Sequence, residues 1–223
     1  MTLPHLQKRV WFGAVVIGLV LVCAIFARWI APHDPLDQDL MSASLPPAWS
    51  TDGDPAHLFG TDSLGRDILS RLIWGARPAM IVAFAGAALA ALAGTALGLW
   101  AGFHGGWVDT VISRLVDIWM SFPAVLLSIV LVAVVGTGLS SVVLAIAVID
   151  WTRFCRVVRA ETQVQASLDY VTSARTIGQT RSATLWREVL PNVVPLLLTL
   201  FTLEMGIAVV VEAILSFVGL SVS

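Results

Sequence analysis

An all-α protein that crosses a membrane several times is what this sequence predicts, and three observations predict it. Of its 223 residues 57% are hydrophobic and only 13% are charged, against roughly 25% charged in a soluble domain. The apolar residues fall in stretches long enough to cross a bilayer, which takes about 20 residues for a hydrocarbon core of roughly 30 Å. The segments between them are polar, one acidic and another rich in arginine. The same composition excludes a disordered chain, and 17 glycines with 10 prolines exclude a collagen-like repeat. Cys23 and Cys155 lie in different apolar stretches, so they suggest neither a disulfide framework nor a zinc site. A formal net charge of −2 supplies no polybasic footprint for nucleic acid.

Residues 1–9 form a short N-terminal segment ending in Lys8-Arg9, and the first span covers residues 10–30. Its apolar core exceeds the roughly 7–15 residues of a secretory signal, and no A-x-A site closes it, so it reads as an uncleaved anchor. In the loop 31–77, Thr61-Asp62 is expected to cap a short helix running to about Trp74. The second span covers residues 78–102, where Gly94, Gly98 and Gly102 set a small-residue stripe on one helix face. Such a stripe admits another helix closely, through internal packing or dimerisation. The third span covers residues 122–135, with a start as early as Val111 left open, and the fourth covers 139–154. Gly136–Gly138 joins them into a tight helical hairpin. The fifth runs over 193–218. Trp11, Trp29, Trp100, Trp119 and Trp151 fall at or near span ends, where amphipathic rings prefer the interface.

Basic residues set the orientation. Arg153, Arg156, Arg159, Arg175, Arg181 and Arg187 crowd the segment between spans four and five, whereas the loop after span one holds seven aspartates. The positive-inside rule therefore places the N-terminus and the arginine-rich segment in the cytoplasm and the acidic loop outside. One crossing separates the N-terminus from the acidic loop and four separate it from the arginine-rich loop, so the topology agrees with itself. The cytoplasmic loop 155–190 has its own organisation. Ala160, Val164, Leu168, Val171 and Ala174 recur at helical spacing, Gly178 permits a turn, and residues 182–189 are expected to form a second short helix. Pro191 suits the first turn of the following span. A helix–Gly–helix device fits docking on a soluble partner or lying on lipid headgroups, and periodicity leaves both open.

Tyr170 to Gly178, followed by Leu190-Pro191-Asn192, resembles the EAA loop of ABC-importer permeases, E-A-A-x3-G-x9-I-x-L-P. Gly178, Leu190 and Pro191 hold its spacing, and Ala174 matches. Thr172, Ser173 and Glu188 stand where Glu, Ala and Ile are usual. The stretch Gly60-Thr61-Asp62-Ser63-Leu64-Gly65-Arg66-Asp67-Ile68-Leu69-Ser70-Arg71 is similar to the G-T-D-x-L-G-R-D-x-x-S-R segment of dipeptide, oligopeptide and nickel permeases. Glu212 to Leu220 resembles the E-A-x-L-S-F-L-G-L ending of their fifth span. The chain is thereby identified as resembling the second, "C"-type, permease of that family.

The resemblance implies a type I ABC-importer transmembrane fold, with residues 78–223 forming the core permease domain and a sixth span expected after Ser223. It implies a multi-pass subunit of the bacterial cytoplasmic membrane with no catalytic residue and no cofactor of its own. A second permease, two ATP-binding-cassette ATPases carrying ATP and Mg, and an extracytoplasmic substrate-binding protein are the implied partners, besides membrane lipid. Thr172, Ser173, Ala174, Gly178, Leu190 and Pro191 would couple to an ATPase. The cargo implied is a di- or oligopeptide, the alternative being nickel or another small solute. Consistently, the sequence has no G-x-x-x-x-G-K-[ST] phosphate loop.

Glu204 and Glu212 are costly within the fifth span and must face protein or water. They are candidates for lining the pathway, or for structural hydrogen bonding to neighbouring helices. A stand-alone secondary transporter would use them as proton or ion sites but leaves the Gly178–Pro191 loop unexplained. An intramembrane enzyme would need a reactive pair that Ser128, Asp150, Glu204 and Glu212 do not supply. Asp150 and Asp117 are expected to be solvated or paired with arginine. His33, Asp34, Asp37, Asp39 and His57 could be assembled into a metal site fitting a nickel importer. An aspartate-rich cluster suits hard cations better than nickel, however, and the spacing matches no closed cage. The acidic loop therefore reads as a solvated surface facing the binding protein, without a metal.

Overall fold

The computed structural model describes residues 4–220; the outermost residues of the N-terminal segment and Ser221-Val222-Ser223 lie outside the described residues. Apart from one isolated bridge between Thr61 and Asp67, the regular structure of the described residues is helical. The chain divides into two compact units after Met80.

The first unit opens with α1, Pro4–Ile30, whose Val10–Ile30 portion is long and apolar enough to cross a membrane. Over that portion the side chains are exposed or half-buried, Ala24 and Ala27 excepted, as suits a helix surrounded by lipid tails. The loop beyond it holds a single 3-10 turn at Leu40–Ser42, where the Asp39 carboxylate accepts the Met41 N–H at 3.0 Å. α2 then runs over Ile68–His104, 37 residues, or about 55 Å at about 1.5 Å per residue. The short helix expected after Thr61-Asp62 does not form. Asp67 is the capping residue instead, accepting the Ser70 N–H at 2.8 Å, and the helix continues through Pro78 into the apolar stretch. A proline inside an apolar helix need not end it when the flanking residues favour helix.

In the second unit, α3 (Gly106–Met120) follows a turn at Gly105 and Gly106, both with positive φ. α4 (Ala124–Val135) follows at an 85° bend. The third span is thus a broken pair and not one straight helix. Pro123 has no N–H to donate and forces Phe122 out of the helical region, which breaks the run at residues 121–123. Alone, the 12 residues of α4 reach about 18 Å, short of a roughly 30 Å core.

Gly136 and Gly138, at φ 104° and 139°, make the expected turn into α5, Leu139–Ala166. The α3–α4 pair runs antiparallel along α5. Asp109 meets Arg159 and Gln163, Asp117 meets Arg156, and the Trp119 indole donates to the Val148 carbonyl at 2.8 Å. Val132 packs with Val142 and Ile146. Among the described residues, three helical stretches are long and apolar enough to cross a membrane, or four if α3–α4 counts as one broken span. α5 is outside that count because Asp150, Arg153, Arg156 and Arg159 interrupt it.

The glycine stripe on α2 serves internal packing. A Cβ on Gly94 would lie 2.3 Å from the Trp151 carbonyl oxygen, and one on Gly102 2.6 Å from that of Arg159. Gly98 faces Cys155 and Val158 between them. The backbone of α2 therefore lies directly on α5. α8 (Leu190–Phe217) closes the unit, placing Ala208 and Leu215 in a core with Val82, Val142 and Ile146.

Candidate functional site

The segment between α5 and α8 has one buried face and one free face. α5 ends at Ala166, capped by Ser167, because Leu168 turns to extended backbone at ψ 152°, and a separate helix α6 spans Asp169–Thr176. α6 buries Val171 and Ala174, the former in a cluster with Leu99, Val158, Val189 and Val193. The spacing of three between Val171 and Ala174 turns Thr172, Ser173, Arg175 and Thr176 outward. Ile177 follows at 83% exposure, and Gly178 makes the turn at φ 94° with open space around its Cα. Of the residues read from sequence, Thr172, Ser173, Gly178 and Pro191 are exposed, Leu190 is half-buried and Ala174 is buried. Ile177 was not singled out by sequence. Its signal is an apolar residue placed just beyond the last helical turn, where no core face continues.

The second short helix does not stand apart either. Thr180 caps α7, Arg181–Thr184, by accepting the Ala183 N–H at 3.3 Å. A widened turn over Leu185–Val189, closed by the Leu190 N–H on the Leu185 carbonyl, leads straight into α8. The cause is Pro191, whose ring would clash with the carbonyl four residues back in a regular helix and which lacks a donor of its own. The Asn192 side-chain amide donates to the Glu188 carbonyl at 2.6 Å within the widened turn, and it also reaches the Tyr170 hydroxyl at 3.2 Å. Tyr170 in turn donates to Gln165 at 2.7 Å, and Gln179 donates to the Glu188 carboxylate at 3.2 Å. α6 is thereby tied to the end of α5 and to the root of α8.

Of the two glutamates in α8, Glu204 is fully enclosed by the chain, at 0% exposure, and its Oε2 accepts from Arg153 of α5 at 2.8 Å. Arg153 also lies 3.9 Å from Asp150, which is buried and not solvated. In this conformation the Glu204 carboxylate reaches no open surface: Arg153 meets Oε2, while Oε1 is buried without a hydrogen-bond partner. Glu212, eight residues on, is half-buried. Asp117 pairs with Arg156 at 3.0 Å, and Asp109 forms a two-pronged pair with Arg159.

The residues of the outer-loop motif build a scaffold. Gly60 and Gly65 take positive φ, and a Cβ on either would strike the carbonyl oxygens of Leu45 and Asp39. Thr61 donates to the Ser42 carbonyl and accepts the Leu45 N–H at 2.9 Å. Asp62 accepts the N–H groups of Leu64 and Arg66 at 2.9 and 3.0 Å, and pairs with the guanidinium groups of Arg66 and Arg71. Burial pushes its carboxyl up, but the Arg66 and Leu64 N–H groups and the Arg66 side chain outweigh this and hold it down at about 2. Asp67 is buried at the head of α2 with His57 and His33 beside it. The loop is thus an ordered unit, and it joins His33 and His57 to Asp67 rather than to Asp34, Asp37 or Asp39.

The model of the family described as "binding-protein-dependent transport system inner membrane component" matches residues 94–222, more than half of the chain. The chain belongs to this family. A second family model, the N-terminal transmembrane domain of oligopeptide transport permease C, matches residues 7–47 of this permease. The dipeptide transport system permease protein of Haemophilus influenzae is 39% identical over 208 residues, covering 93% of this chain and 70% of that protein. The di/tripeptide transport system permease protein of Pseudomonas aeruginosa is 38% identical, covering 94% and 69%. The glutathione transport system permease protein of Pectobacterium atrosepticum is 35% identical, covering 96% and 70%. The likeness read from the Gly60–Arg71 and Glu212–Leu220 stretches therefore holds: this is a "C"-type permease subunit of an ABC importer of the peptide/nickel family, a multi-pass inner-membrane protein.

Proposed function

We propose that this permease forms, with a second permease subunit, the path for di- or oligopeptides handed over by an extracytoplasmic binding protein. The relatives named for dipeptides, di/tripeptides and glutathione support peptides over the nickel or small-solute alternative. ATP and Mg belong to two partner ATPases, and this chain contributes none of the hydrolytic chemistry. The chain crosses five times, through α1, α2, the broken pair α3–α4, α5 and α8, with its N-terminus in the cytoplasm. The antiparallel register of α3–α4 along α5 supports a single crossing for that pair. A sixth span, implied by the family resemblance, would lie outside residues 1–223.

The observation that carries the mechanism is the two-sided α6: Val171 and Ala174 are fixed in the core while Thr172, Ser173, Ile177 and Gly178 are presented outward. α6 is the coupling helix. Closure of the ATPases moves its exposed face, and the ties through Tyr170, Asn192 and Glu188 carry α5 and α8 with it, a rigid-body switch between two states. Reconstitution of the purified importer in liposomes tests this. ATP-dependent peptide uptake that is lost in Gly178→Leu, with assembly intact, supports the assignment. Uptake at the wild-type rate in that variant refutes it.

A further inference from the structure

We propose that His33, His57 and Asp67 form a binding site for one divalent transition-metal ion of the zinc class, which staples the loop after α1 to the head of α2. The three residues come from separate parts of the loop, and their ligand atoms all lie within 4.8 Å of one another. His57 Nδ1 stands 3.0 Å from Asp67 Oδ1, and His33 Nδ1 stands 3.8 Å from Asp67 Oδ2. The imidazole centroids are 4.8 Å apart, with the rings tilted by 34°. Tetrahedral zinc with bonds of about 2.0–2.2 Å sets its ligand atoms roughly 3.3–3.5 Å apart. The His57 spacing falls just short of that value and the His33 spacing just beyond it, each to a different oxygen of the Asp67 carboxylate.

The donor set decides the class of ion. Two imidazoles with one carboxylate suit zinc, nickel or copper, whereas calcium and magnesium take oxygen throughout. Exposure falls from 39% at the His33 side chain to 15% at His57 and 1% at Asp67, so the cluster is closed by protein on one side and accessible from the other. Its surroundings are already fixed. Asp67 Oδ2 accepts the Ser70 N–H at 2.8 Å, which orients the carboxylate, and the Ser70 hydroxyl accepts the backbone N–H of His33 at 3.0 Å, which holds the His33 backbone beside it. A plain imidazole–carboxylate hydrogen bond accounts for His57 but leaves the His33 ring beyond hydrogen-bond reach of the carboxylate. An ion accounts for both.

The test uses the full chain, purified in detergent with the subunits that accompany it, stripped with EDTA and titrated with zinc chloride against a colorimetric chelator. Wild-type protein should hold one more zinc per chain than the His33→Asn/His57→Gln double variant, in which the introduced glutamine amide retains a donor for Asp67. Zinc should also raise the melting temperature of the wild type and leave that of the double variant unmoved. His33→Asn alone, at the exposed ligand, should weaken zinc binding by at least about tenfold, since even outer-shell changes cost that much. Equal zinc content in wild type and double variant, or unchanged affinity in His33→Asn, overturns the site.

Discussion

The loop 31–67 and the segment 167–190 both carry family motifs, and they use them in opposite ways. In the first, nearly every motif residue is consumed in holding the chain to itself. Gly60 and Gly65 admit backbone, Thr61 bridges two turns, and Asp62 gathers two N–H groups and two guanidinium groups. In the second, apolar burial of Val171, Ala174 and Val189 does the holding, and the motif positions Thr172, Ser173 and Gly178 are left facing outward. A motif whose side chains are spent internally specifies a shape. One whose side chains are held out by a fixed core specifies a contact.

That contrast can be broken by substitution. Gly65→Val should have the largest effect, because its Cβ falls within bonding distance of the Asp39 carbonyl and its φ of 76° disfavours a branched residue. Strain and overlap of about 1–3 kcal/mol each should lower the amount of folded permease in the membrane several-fold, measured by quantitative blotting. Gly94→Val should do the same on the helical side, at about 1–3 kcal/mol, by forcing α2 off the Trp151 carbonyl, seen as a lower melting temperature in detergent. Gly178→Leu should differ in kind: near-normal folding with uptake reduced at least about tenfold, because the cost of a left-handed leucine is only about 1–2 kcal/mol while the docking face is distorted. Asn192→Ala should cost about 1 kcal/mol by removing the amide's bonds to the Glu188 carbonyl and the Tyr170 hydroxyl. It should loosen α6 first, seen as faster amide exchange there.

The smallest effect is electrostatic. The Asp62 carboxyl sits at about 2 in the folded loop against an ordinary 3.8. A lowered value means the charged form stabilises the fold, fully above about pH 4 and progressively less as the pH falls toward 2. Pepsin cleavage of the loop should therefore rise across that window in the wild type. Asp62→Asn should be cleaved more readily at the upper end and respond less to pH, since partly exposed pairs contribute about 1 kcal/mol or less.

Much of this architecture was legible because periodicity and apolar length report burial directly. The glycine stripe at Gly94, Gly98 and Gly102 named the face that α5 contacts, and Gly136–Gly138 named the hairpin. Pro123 was equally visible, yet an apolar run on both sides concealed the 85° bend between α3 and α4. The start of α2 was misplaced because Asp62 and Asp67 both offer a capping carboxylate, and only the spent hydrogen bonds of Asp62 distinguish them. The pairing of Glu204 with Arg153 joins residues 51 apart, and the cluster at Asp67 joins His33 and His57. Side chains this distant in sequence meet only through the folded backbone, so spacing identifies neither Arg153 as the partner of Glu204 nor Asp67 as the partner of the histidines.

The central claim is that the outward face of α6 is the surface the ATPase grips. The most direct measurement is cross-linking within the assembled importer, using Ile177→Cys on that face and Leu58→Cys in the loop 31–67, each treated with a short bifunctional thiol reagent. A product between Ile177→Cys and the ATPase subunit, with a yield that changes when ATP is bound, is expected, and none from Leu58→Cys. Cross-linking of Leu58→Cys to the ATPase, with Ile177→Cys unreactive toward it, would contradict both the coupling assignment and the proposed orientation.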